Sequence, residues 1–461
     1  MQRIADQSSG DAPSRLRVII VAYHYYPDPA VGSLRARNVA QALAAEGHEV
    51  HVVSIALSDA PAEAQDGLVH VVRVEPTISP RDVVAGISRG LSVRRKRGES
   101  ASPGTGEQKS QESGWKGPEH VSRIRRWLGA LTWFPDDRQG FIGPATRAVA
   151  TLMRGNGSDV LYTTAPPFSD HVVGLLARRT RRFRWVVEFR DPWTGSQYKP
   201  WFVRSRLTDA AEAWVEKRCL SLSDGIVTVT GVYADILGAR YGERVKEKLL
   251  VVLNGIPRSA AQFAEPVPTD ASRFRIVYAG SFYLGRDPKP FLTALAAFHK
   301  RNGASPRRLD VQLVGDCRYF DGAPLAPLIE ALGLSDVVTF VDWMPHKESV
   351  QLMRSADLLL LLAQRQPLSV PNKVYEYFGM QKPILAVADR EGETMKLMGQ
   401  IGGHFLIGEN EGPEAIERAL ADAVATAGDP RPASPVLASI ATDAQMHTLT
   451  TWLAARFAPH R

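Results

Sequence analysis

Cysteine is scarce in this sequence, and long apolar runs are absent from it. Two cysteines, Cys219 and Cys317, lie far apart among 461 residues and form neither a metal nor a redox motif. No apolar run approaches the roughly 20 residues that a membrane-spanning helix needs. The first segment, MQRIADQSSGDAPSRLR, also lacks the apolar centre of a secretory signal. These absences favour a reducing compartment and predict a cytoplasmic protein.

Several catalytic signatures are missing as well. No G-x-G-x-x-G motif follows the first strand-like run, which argues against a standard dinucleotide site. The sequence also has no P-loop, no His/Cys cluster with metal-ligand spacing, and no Ser/His/Asp arrangement in a recognisable context. Motif searching alone therefore assigns no chemistry.

The sequence does contain a regular alternation of strand-like and helix-like segments. Buried-strand runs such as RVIIVAY (17–23) and HEVHVVSIA (48–56) are separated by helical runs such as LRARNVAQALAAEG (34–47). A second series runs from FRIVYAG (274–280) to PILAVA (383–388). This alternation predicts an α/β protein with two Rossmann-like doubly wound domains that face a cleft. In such sheets, ligands bind at the C-terminal ends of the strands.

Composition suggests where these domains begin and end. We expect a disordered tail over 1–14, a first domain over 15–257 and a flexible, Gly/Ser-rich insertion at about 95–120. A Pro- and Ala-rich linker over 258–272 leads to a second domain over 273–435. The last helical segment, 436–461, is expected to pack back toward the first domain.

The net charge of +7 is concentrated in three basic clusters of the first half, at 89–98, 122–134 and 177–185. They are either solvated surface or contacts for nucleic acid, an anionic membrane or a phosphorylated substrate. In Val121–Phe134, apolar residues at helical spacing alternate with arginines. That pattern is typical both of an interfacial membrane helix and of a helix packed on a domain core. The clusters lack aromatic stacking platforms on a recognised module, so we do not expect a nucleic-acid binder.

Two loops carry features suited to a phosphate ligand. In AGSFYLGRDPKP, Gly280 and Ser281 give access to the backbone, and Arg286 and Lys289 stand near a helix start. Two cations with free N–H groups suit a pyrophosphate, although a surface turn with two solvated cations would look the same. Gly32 follows the first strand and permits a ligand to approach the helix N-terminus, but turns in α/β proteins often carry such a glycine.

A third constellation lies in SVPNKVYEYFGM, which follows the apolar run DLLLLLA. Lys373 and Glu376 are three residues apart and therefore share a helix face. They form a solvated ion pair, or Glu376 accepts hydrogen bonds from sugar hydroxyls while Lys373 reaches a phosphate.

Charged residues also end two strands of the first half. In VVEFRDPWTGS, Arg190 and Asp191 come directly after a strand, and Glu188 faces the same side as Arg190. In YTTAPPFSDH, Ser169–His171 begin the next helix, where the serine or the aspartate can serve as a helix cap. Arg190 and His171 are candidate acceptor-side residues.

The order and spacing of these segments resemble the nucleotide-sugar-dependent glycosyltransferases of the GT-B architecture. The resemblance is to the large retaining family 4, including bacterial transferases of polysaccharide assembly. It covers about Leu16 to Ala388 apart from the insertion, through segments that include YYPDPAVGSLRARNVAQALAAEGHEVHVVS, TTAPPFSDHVVGLLA, EFRDPW, YAGSFYLGRDPKPFLTAL and LLLLLAQRQPLSVPNKVYEYFGMQKPILA.

The resemblance implies roles for particular residues of the second half. Arg286 and Lys289 match the basic pair that holds the donor diphosphate, beside Gly280 and Ser281. Glu376 matches the second glutamate of the Glu-x₇-Glu signature, which binds the nucleotide ribose. The nucleotide base is expected near the segment from Met344 to His346. In the first half, Gly32 would lie at the cleft near the transferred sugar.

This chain departs from the family pattern at two places. The first glutamate of the signature is replaced by Leu368, so sugar contacts are expected from the backbone of Ser369–Asn372. A histidine that many relatives carry after the strand VVEF is replaced by Arg190 and Asp191. Asp191 is the candidate that orients a sugar or acceptor hydroxyl.

The resemblance therefore implies a metal-independent, retaining glycosyltransferase without a resident cofactor. Its donor would be a UDP- or GDP-linked sugar, and its acceptor a saccharide or lipid-linked molecule in polysaccharide or glycoconjugate biosynthesis. A lipid-linked acceptor would bring it to the inner face of the cytoplasmic membrane. A nucleotide-sugar epimerase of the same architecture and a non-catalytic nucleotide-sugar-binding protein are the alternatives.

Overall fold

The computed structural model describes residues 15–79, 133–155, 159–195, 205–257, 270, 272–283, 285–301, 307–429 and 434–457. The tail, the insertion at 95–120, most of the linker and nearly all of the candidate amphipathic helix at 121–134 lie outside these residues. Within the described part of the chain, no helix is both long and apolar enough to cross a membrane.

The first half of the described chain is built on one eight-stranded sheet with the strand order β3-β4-β2-β1-β5-β6-β7-β8. Only β3 runs antiparallel, and it pairs with β4 at the sheet edge. The strands are β1 Arg17–Val21, β2 Glu49–Ile55, β3 Glu63–Asp66, β4 Val69–Val74, β5 Asp159–Ala165, β6 Arg184–Phe189, β7 Gly225–Thr228 and β8 Leu249–Val251.

Helices cover both faces of this sheet because its central strands are apolar on both sides. Every residue of β5 is buried. Ile19 and Val21 of β1 belong to one apolar cluster, and Val18 and Ile20 belong to the other. The helices are α1 Val31–Ala45, α2 Gln139–Leu152, α3 Ser169–Ala177, α4 Arg206–Leu222, α5 Gly231–Tyr241 and α6 Glu243–Lys246.

The second half contains a six-stranded, wholly parallel sheet and a short two-stranded hairpin. Its strands are β9 Arg273–Ala279, β10 Arg308–Val314, β11 Tyr319–Phe320, β12 Ala323–Pro324, β13 Val338–Val341, β14 Leu358–Ala363, β15 Ile384–Ala388 and β16 Phe405–Gly408. The sheet order is β13-β10-β9-β14-β15-β16, and β11 pairs with β12. The two parallel α/β sheets confirm the predicted fold class.

The helices of the second half are α7 Lys289–Arg301, α8 Ala326–Ala331, α9 His346–Arg354, α10 Asn372–Met380, α11 Glu393–Ile401, α12 Gly412–Ala425, α13 Pro435–Ser439 and α14 Thr442–Phe457. Strand β16 and helix α12 were not expected from the sequence. The strand is a four-residue edge strand, and the helix begins with a Gly-Pro pair that also suits a turn. Ile416 and Leu420 of α12 nevertheless join the core of the second half.

The C-terminal helix α14 lies against the first sheet. Leu449 and Leu453 join the apolar cluster of Val18 and Ile20. The ring of Trp452 lies so close to Gly225 that a Cβ at that position would come within 2.5 Å of it. The chain therefore passes from the first half to the second sheet, and its C-terminal helix packs back on the first half.

Candidate functional site

A cleft of about 540 Å³ lies between the two sheets. Its walls come from loops that follow β1, β5, β6 and β7 of the first half and β9 and β14 of the second. This is the edge of doubly wound sheets at which ligands bind. The lining residues include His24, Gly32, Arg35, Trp133, Asp136, Arg138, Phe168, Arg190, Asp191, Trp193, Asn254, Arg286, Gln366, Ser369, Val370 and Asn372.

The cleft collects about half of the site residues expected from the sequence. Gly32, Arg190, Asp191, Arg286, Ser369 and Asn372 all line it. The described residues that line it do not include Gly280, Ser281, Lys289, Lys373, Glu376, His171, Met344 or His346.

Arg190 forms part of the floor of the cleft and fills the space above Gly32. Its guanidinium Nη1 donates to the Gly32 carbonyl oxygen at 3.1 Å, and Nη2 donates to the carbonyl of Pro166. A Cβ on Gly32 would lie 2.4 Å from Nη1. A larger residue at position 32 would therefore displace the Arg190 guanidinium from this position. Burial lowers the pKa of Arg190, against the opposing pull of Glu188 and Asp191.

Asp191 is the carboxylate next to Arg190 at the cleft wall. Burial raises its pKa to about 6, even though the charge of Arg190 acts in the opposite direction. A carboxyl group with that pKa changes its protonation state close to neutral pH. It can therefore orient a hydroxyl group as an acceptor or, when protonated, as a donor.

This raised pKa predicts how Asp191 affects stability. Because the folded-state pKa lies above the ordinary value of 3.8, the folded state is favoured by protonation, and this contribution is lost as the pH rises through about 6. Asp191→Asn removes the ionised form and is expected to stabilise the protein at pH 8 by up to about 3 kcal/mol. At pH 4 the difference should nearly vanish. Thermal unfolding at both pH values tests this, and a variant less stable than the parent at pH 8 would contradict it.

A buried ion pair beneath the cleft was not predicted. Arg35 of α1 contacts Glu188 of β6 at 2.8 Å, and their side chains are 5% and 0% exposed. Arg35 also donates to the carbonyl oxygens of Val252 and Leu253, at 3.0 and 2.6 Å. Thr164 donates to the second carboxylate oxygen of Glu188. Glu188 lies inside the apolar strand β6, which indicates that a buried cation must pair with it. The sequence alone does not show that this cation is Arg35.

Two aspartates, Asp136 before α2 and Asp170 in the first turn of α3, hold together the loops of the first-half wall. The Asp136 carboxylate lines the cleft and accepts hydrogen bonds from the Ser169 N–H and hydroxyl, at 2.7 and 2.6 Å. Asp170 accepts from the Tyr23 N–H at 2.9 Å. Burial raises the pKa of both aspartates. Ser169 and Asp170 therefore tie the loops of the cleft together.

The acceptor role expected for His171 does not fit its position. The side chain is 0% exposed, and its Nδ1 lies 2.8 Å from the Thr163 hydroxyl. Burial lowers its pKa to about 3, so it is neutral at physiological pH. His171 packs against Phe189 inside the domain and does not reach a ligand in the cleft.

On the second-half side, Arg286 is the cation that lines the cleft. Its Cζ lies 4.4 Å from the centroid of the Tyr283 ring, and its buried Nε has no hydrogen-bond partner among the described residues. Lys289 is exposed instead, and its Nζ lies 5.4 Å from the Phe320 ring. Of the two cations expected to face one diphosphate, Arg286 is among the described residues that line the cleft and Lys289 is not; their binding role stays a prediction.

The sequence matches a known domain over much of the first half. Residues 32–255 match the glycosyl transferase 4-like domain. That segment is just under half of the chain, and it contains Gly32, Arg190 and Asp191. A search of curated proteins finds no match.

Solved structures of glycosyltransferases share the whole fold. Sucrose-phosphate synthase from Thermosynechococcus elongatus gives a TM-score of 0.55 at 16% identity over 96% of each chain. WaaG, a glycosyltransferase involved in lipopolysaccharide biosynthesis, gives 0.54 at 15% identity over 96% of this chain and 100% of its own. HepE from Anabaena in complex with UDP gives 0.53 at 14% identity over 96% and 97%. These likenesses show that the chain has the GT-B fold.

In this GT-B fold, the two residues of α10 expected to bind the donor contact each other. The Lys373 Nζ and the Glu376 Oε2 are 2.8 Å apart, and the side chains are 30% and 19% exposed. The ion pair left open by the sequence is therefore formed in this structure, and the ribose contact of Glu376 stays a prediction. A ribose bound by Glu376 would have to share its carboxylate with Lys373.

The remaining second-half candidates lie outside the cleft lining. Gly280 and Ser281 follow β9, where the Ser281 carbonyl accepts from the Tyr278 hydroxyl at 3.1 Å. Met344 packs against an apolar cluster, and His346 begins α9 at the surface. Their expected roles remain predictions from the resemblance.

Proposed function

We propose that this protein is a glycosyltransferase that moves a sugar from a nucleotide-sugar donor to a saccharide or lipid-linked acceptor. The proposal further includes retention of configuration and a role in cell-surface polysaccharide or glycoconjugate biosynthesis. The observation that carries it is the cleft between two facing sheets, with Arg286 on one wall and Asp191 on the other, in a chain whose first half matches a glycosyl transferase domain.

The second-half wall is the proposed binding surface for the donor, and the first-half wall is the proposed binding surface for the acceptor. On the second-half wall, Arg286 offers a guanidinium with a buried, unpartnered Nε among the described residues, which suits a phosphate oxygen. Ser369 and Asn372 line the same wall and are the proposed contacts to the donor sugar. On the first-half wall, Asp191 faces the place where an acceptor hydroxyl would enter.

The proposed reaction exchanges one glycosidic bond for another. The bond between the sugar anomeric carbon and the diphosphate breaks, and the acceptor oxygen attacks from the same face. The acceptor proton passes to the departing diphosphate. Because negative charge grows on that diphosphate as the bond breaks, a fixed cation at Arg286 stabilises the transition state more than the ground state. We propose that this cation, rather than a metal, balances the leaving group.

The first test is binding and turnover of the donor. We expect UDP or GDP to raise the midpoint of thermal unfolding, because a ligand bound to the folded state alone stabilises it. A UDP- or GDP-sugar should then be consumed in the presence of a saccharide or lipid-linked acceptor pool and only slowly hydrolysed without it. Failure of every nucleotide to bind would contradict the proposal.

The same assay separates the proposal from its alternatives. Conversion of the donor to an isomeric nucleotide sugar without acceptor would identify an epimerase. Binding without any turnover would identify a nucleotide-sugar-binding protein, an alternative favoured by Leu368 and by the Lys373–Glu376 ion pair. Contact with an anionic membrane stays a prediction, because nearly all of 121–134 lies outside the described residues.

A further inference from the structure

The loop at residues 367–369 leads into the cleft wall. It is held by hydrogen bonds that its three successive main-chain carbonyl groups accept. The Glu393 N–H donates to Pro367 at 3.0 Å, the Thr230 hydroxyl donates to Leu368 at 3.0 Å, and the Thr394 hydroxyl donates to Ser369 at 3.3 Å. Glu393 and Thr394 begin α11 in the second half. Thr230 belongs to the first half, so the middle hydrogen bond crosses between the two domains.

Thr230 is the N-cap residue of α5, but its hydroxyl does not cap that helix. An N-cap threonine ordinarily accepts from an N–H of its own first turn. Here the hydroxyl is used for Leu368, and the Gly231 N–H donates to the Glu393 carboxylate at 3.1 Å. The second domain therefore supplies the cap of a first-domain helix, with a negative charge at the positive end of the helix.

These contacts are shielded from solvent. Thr230 is 1% exposed, and the Glu393 side chain is 16% exposed. A hydrogen bond inside a protein contributes a modest net stabilisation, so separating the domains at this point loses the contributions of the two hydrogen bonds that cross between them. The Thr230–Leu368 and Gly231–Glu393 hydrogen bonds form only while the two halves meet. The loop that contains Leu368 continues into Ser369 and Val370, which line the cleft wall.

We propose that Thr230 and Glu393 are positioning residues that couple domain closure to the shape of the donor wall. Position 368 then acts through its main-chain carbonyl, which any side chain leaves available. A leucine at this position therefore keeps the interdomain hydrogen bond. The proposal rests on the proposed function only in taking the ligand of this wall to be a nucleoside diphosphate.

Two pairs of variants test the coupling. Thr230→Val keeps the shape of the side chain but removes the donor, whereas Thr230→Ser keeps a hydroxyl. Glu393→Ala removes the acceptor, whereas Glu393→Gln keeps a carbonyl oxygen for the Gly231 N–H. Small-angle X-ray scattering of the ligand-free proteins should give a larger radius of gyration for the valine and alanine variants than for the parent. The serine and glutamine variants should resemble the parent.

Calorimetry with UDP and GDP supplies a second readout. We expect affinity for the nucleotide that binds the parent to fall about tenfold in Thr230→Val and Glu393→Ala, with most of it retained in the conservative variants. Parent-like scattering by both disruptive variants would overturn the proposal, whatever the nucleotide result. If the parent binds neither nucleotide but the scattering differs as expected, the coupling stands and the proposed function fails.

Discussion

Arg286→Ala is expected to lower the kcat/KM of sugar transfer by about 100-fold or more. Removing one preorganised group that stabilises developing negative charge typically costs about 2.7–4 kcal/mol in the transition state. Arg286 is the second-half cation that lines the cleft, and its Nε has no partner among the described residues. Its guanidinium is therefore available to a departing diphosphate.

Lys289→Ala is the matched control. The two residues lie three positions apart, but the exposed Lys289 side chain is directed to Phe320. We expect it to cost less than a tenfold loss of kcat/KM, consistent with a screened surface charge. The Arg286 contacts with the Tyr283 ring and the Tyr278 hydroxyl contribute only about 0.5–1.5 kcal/mol each. Lys289 is exposed, so both variants should unfold near the parent temperature. Equal losses in the two variants would place the diphosphate elsewhere.

Arg286 and Lys289 illustrate how far a sequence locates a site. The rule that ligands bind beyond the C-terminal ends of parallel strands selects the loop after β9. It does not say which side chain of that loop faces the cleft. Gly285, at a φ of +88°, turns the backbone between the strand and α7, and it packs so closely on Arg365 that a Cβ would come within 2.9 Å. That turn depends on a loop about 80 residues later in the chain.

Lys373 and Glu376 show a second kind of limit. Spacing of three residues places both side chains on one face of α10, and the structure adds that they pair at 2.8 Å. The ion pair and a ribose contact have the same sequence signature, so only a bound nucleotide can separate them.

Strand β16 and helix α12 were missed because the strand is only four residues long and the helix starts with a Gly-Pro pair, which also suits a turn.

The ion pair between Arg35 and Glu188 could not be predicted from the sequence because 153 residues separate the two. Arg35→Met is expected to lower the free energy of unfolding by about 3–5 kcal/mol, the usual cost of leaving one buried charge without its partner. It also leaves the carbonyl groups of Val252 and Leu253 without their donors. These two residues lead into the crossing to the second domain, so the loss should also reduce donor affinity.

The pH dependence of this variant distinguishes lost charge pairing from lost packing. In the parent, burial alone would raise the pKa of Glu188, but the charge of Arg35 and the hydrogen bond from Thr164 outweigh it and lower the pKa. That stabilisation is present above the ordinary glutamate pKa and is lost as the pH falls through the folded-state value. Without Arg35, only the Thr164 hydrogen bond and the charge of Arg190 oppose burial, so we expect the pKa of Glu188 to rise above its value in the parent. The destabilisation of Arg35→Met should therefore be larger at pH 8 than at pH 5 in urea unfolding.

Arg37→Met on the same helix is the control for Arg35→Met. Arg37 makes two hydrogen bonds to Asp66, at 2.9 and 2.8 Å, but its side chain is 38% exposed. The Asp66 side chain is 10% exposed but keeps a hydrogen bond from the Tyr25 hydroxyl, so this variant should lose clearly less stability than Arg35→Met. The double variant Arg35→Met/Glu188→Met should be less destabilised than the sum of its single variants, because neither charge is then left buried alone. A cost for Arg35→Met that is independent of pH and additive with Glu188→Met would assign the effect to packing.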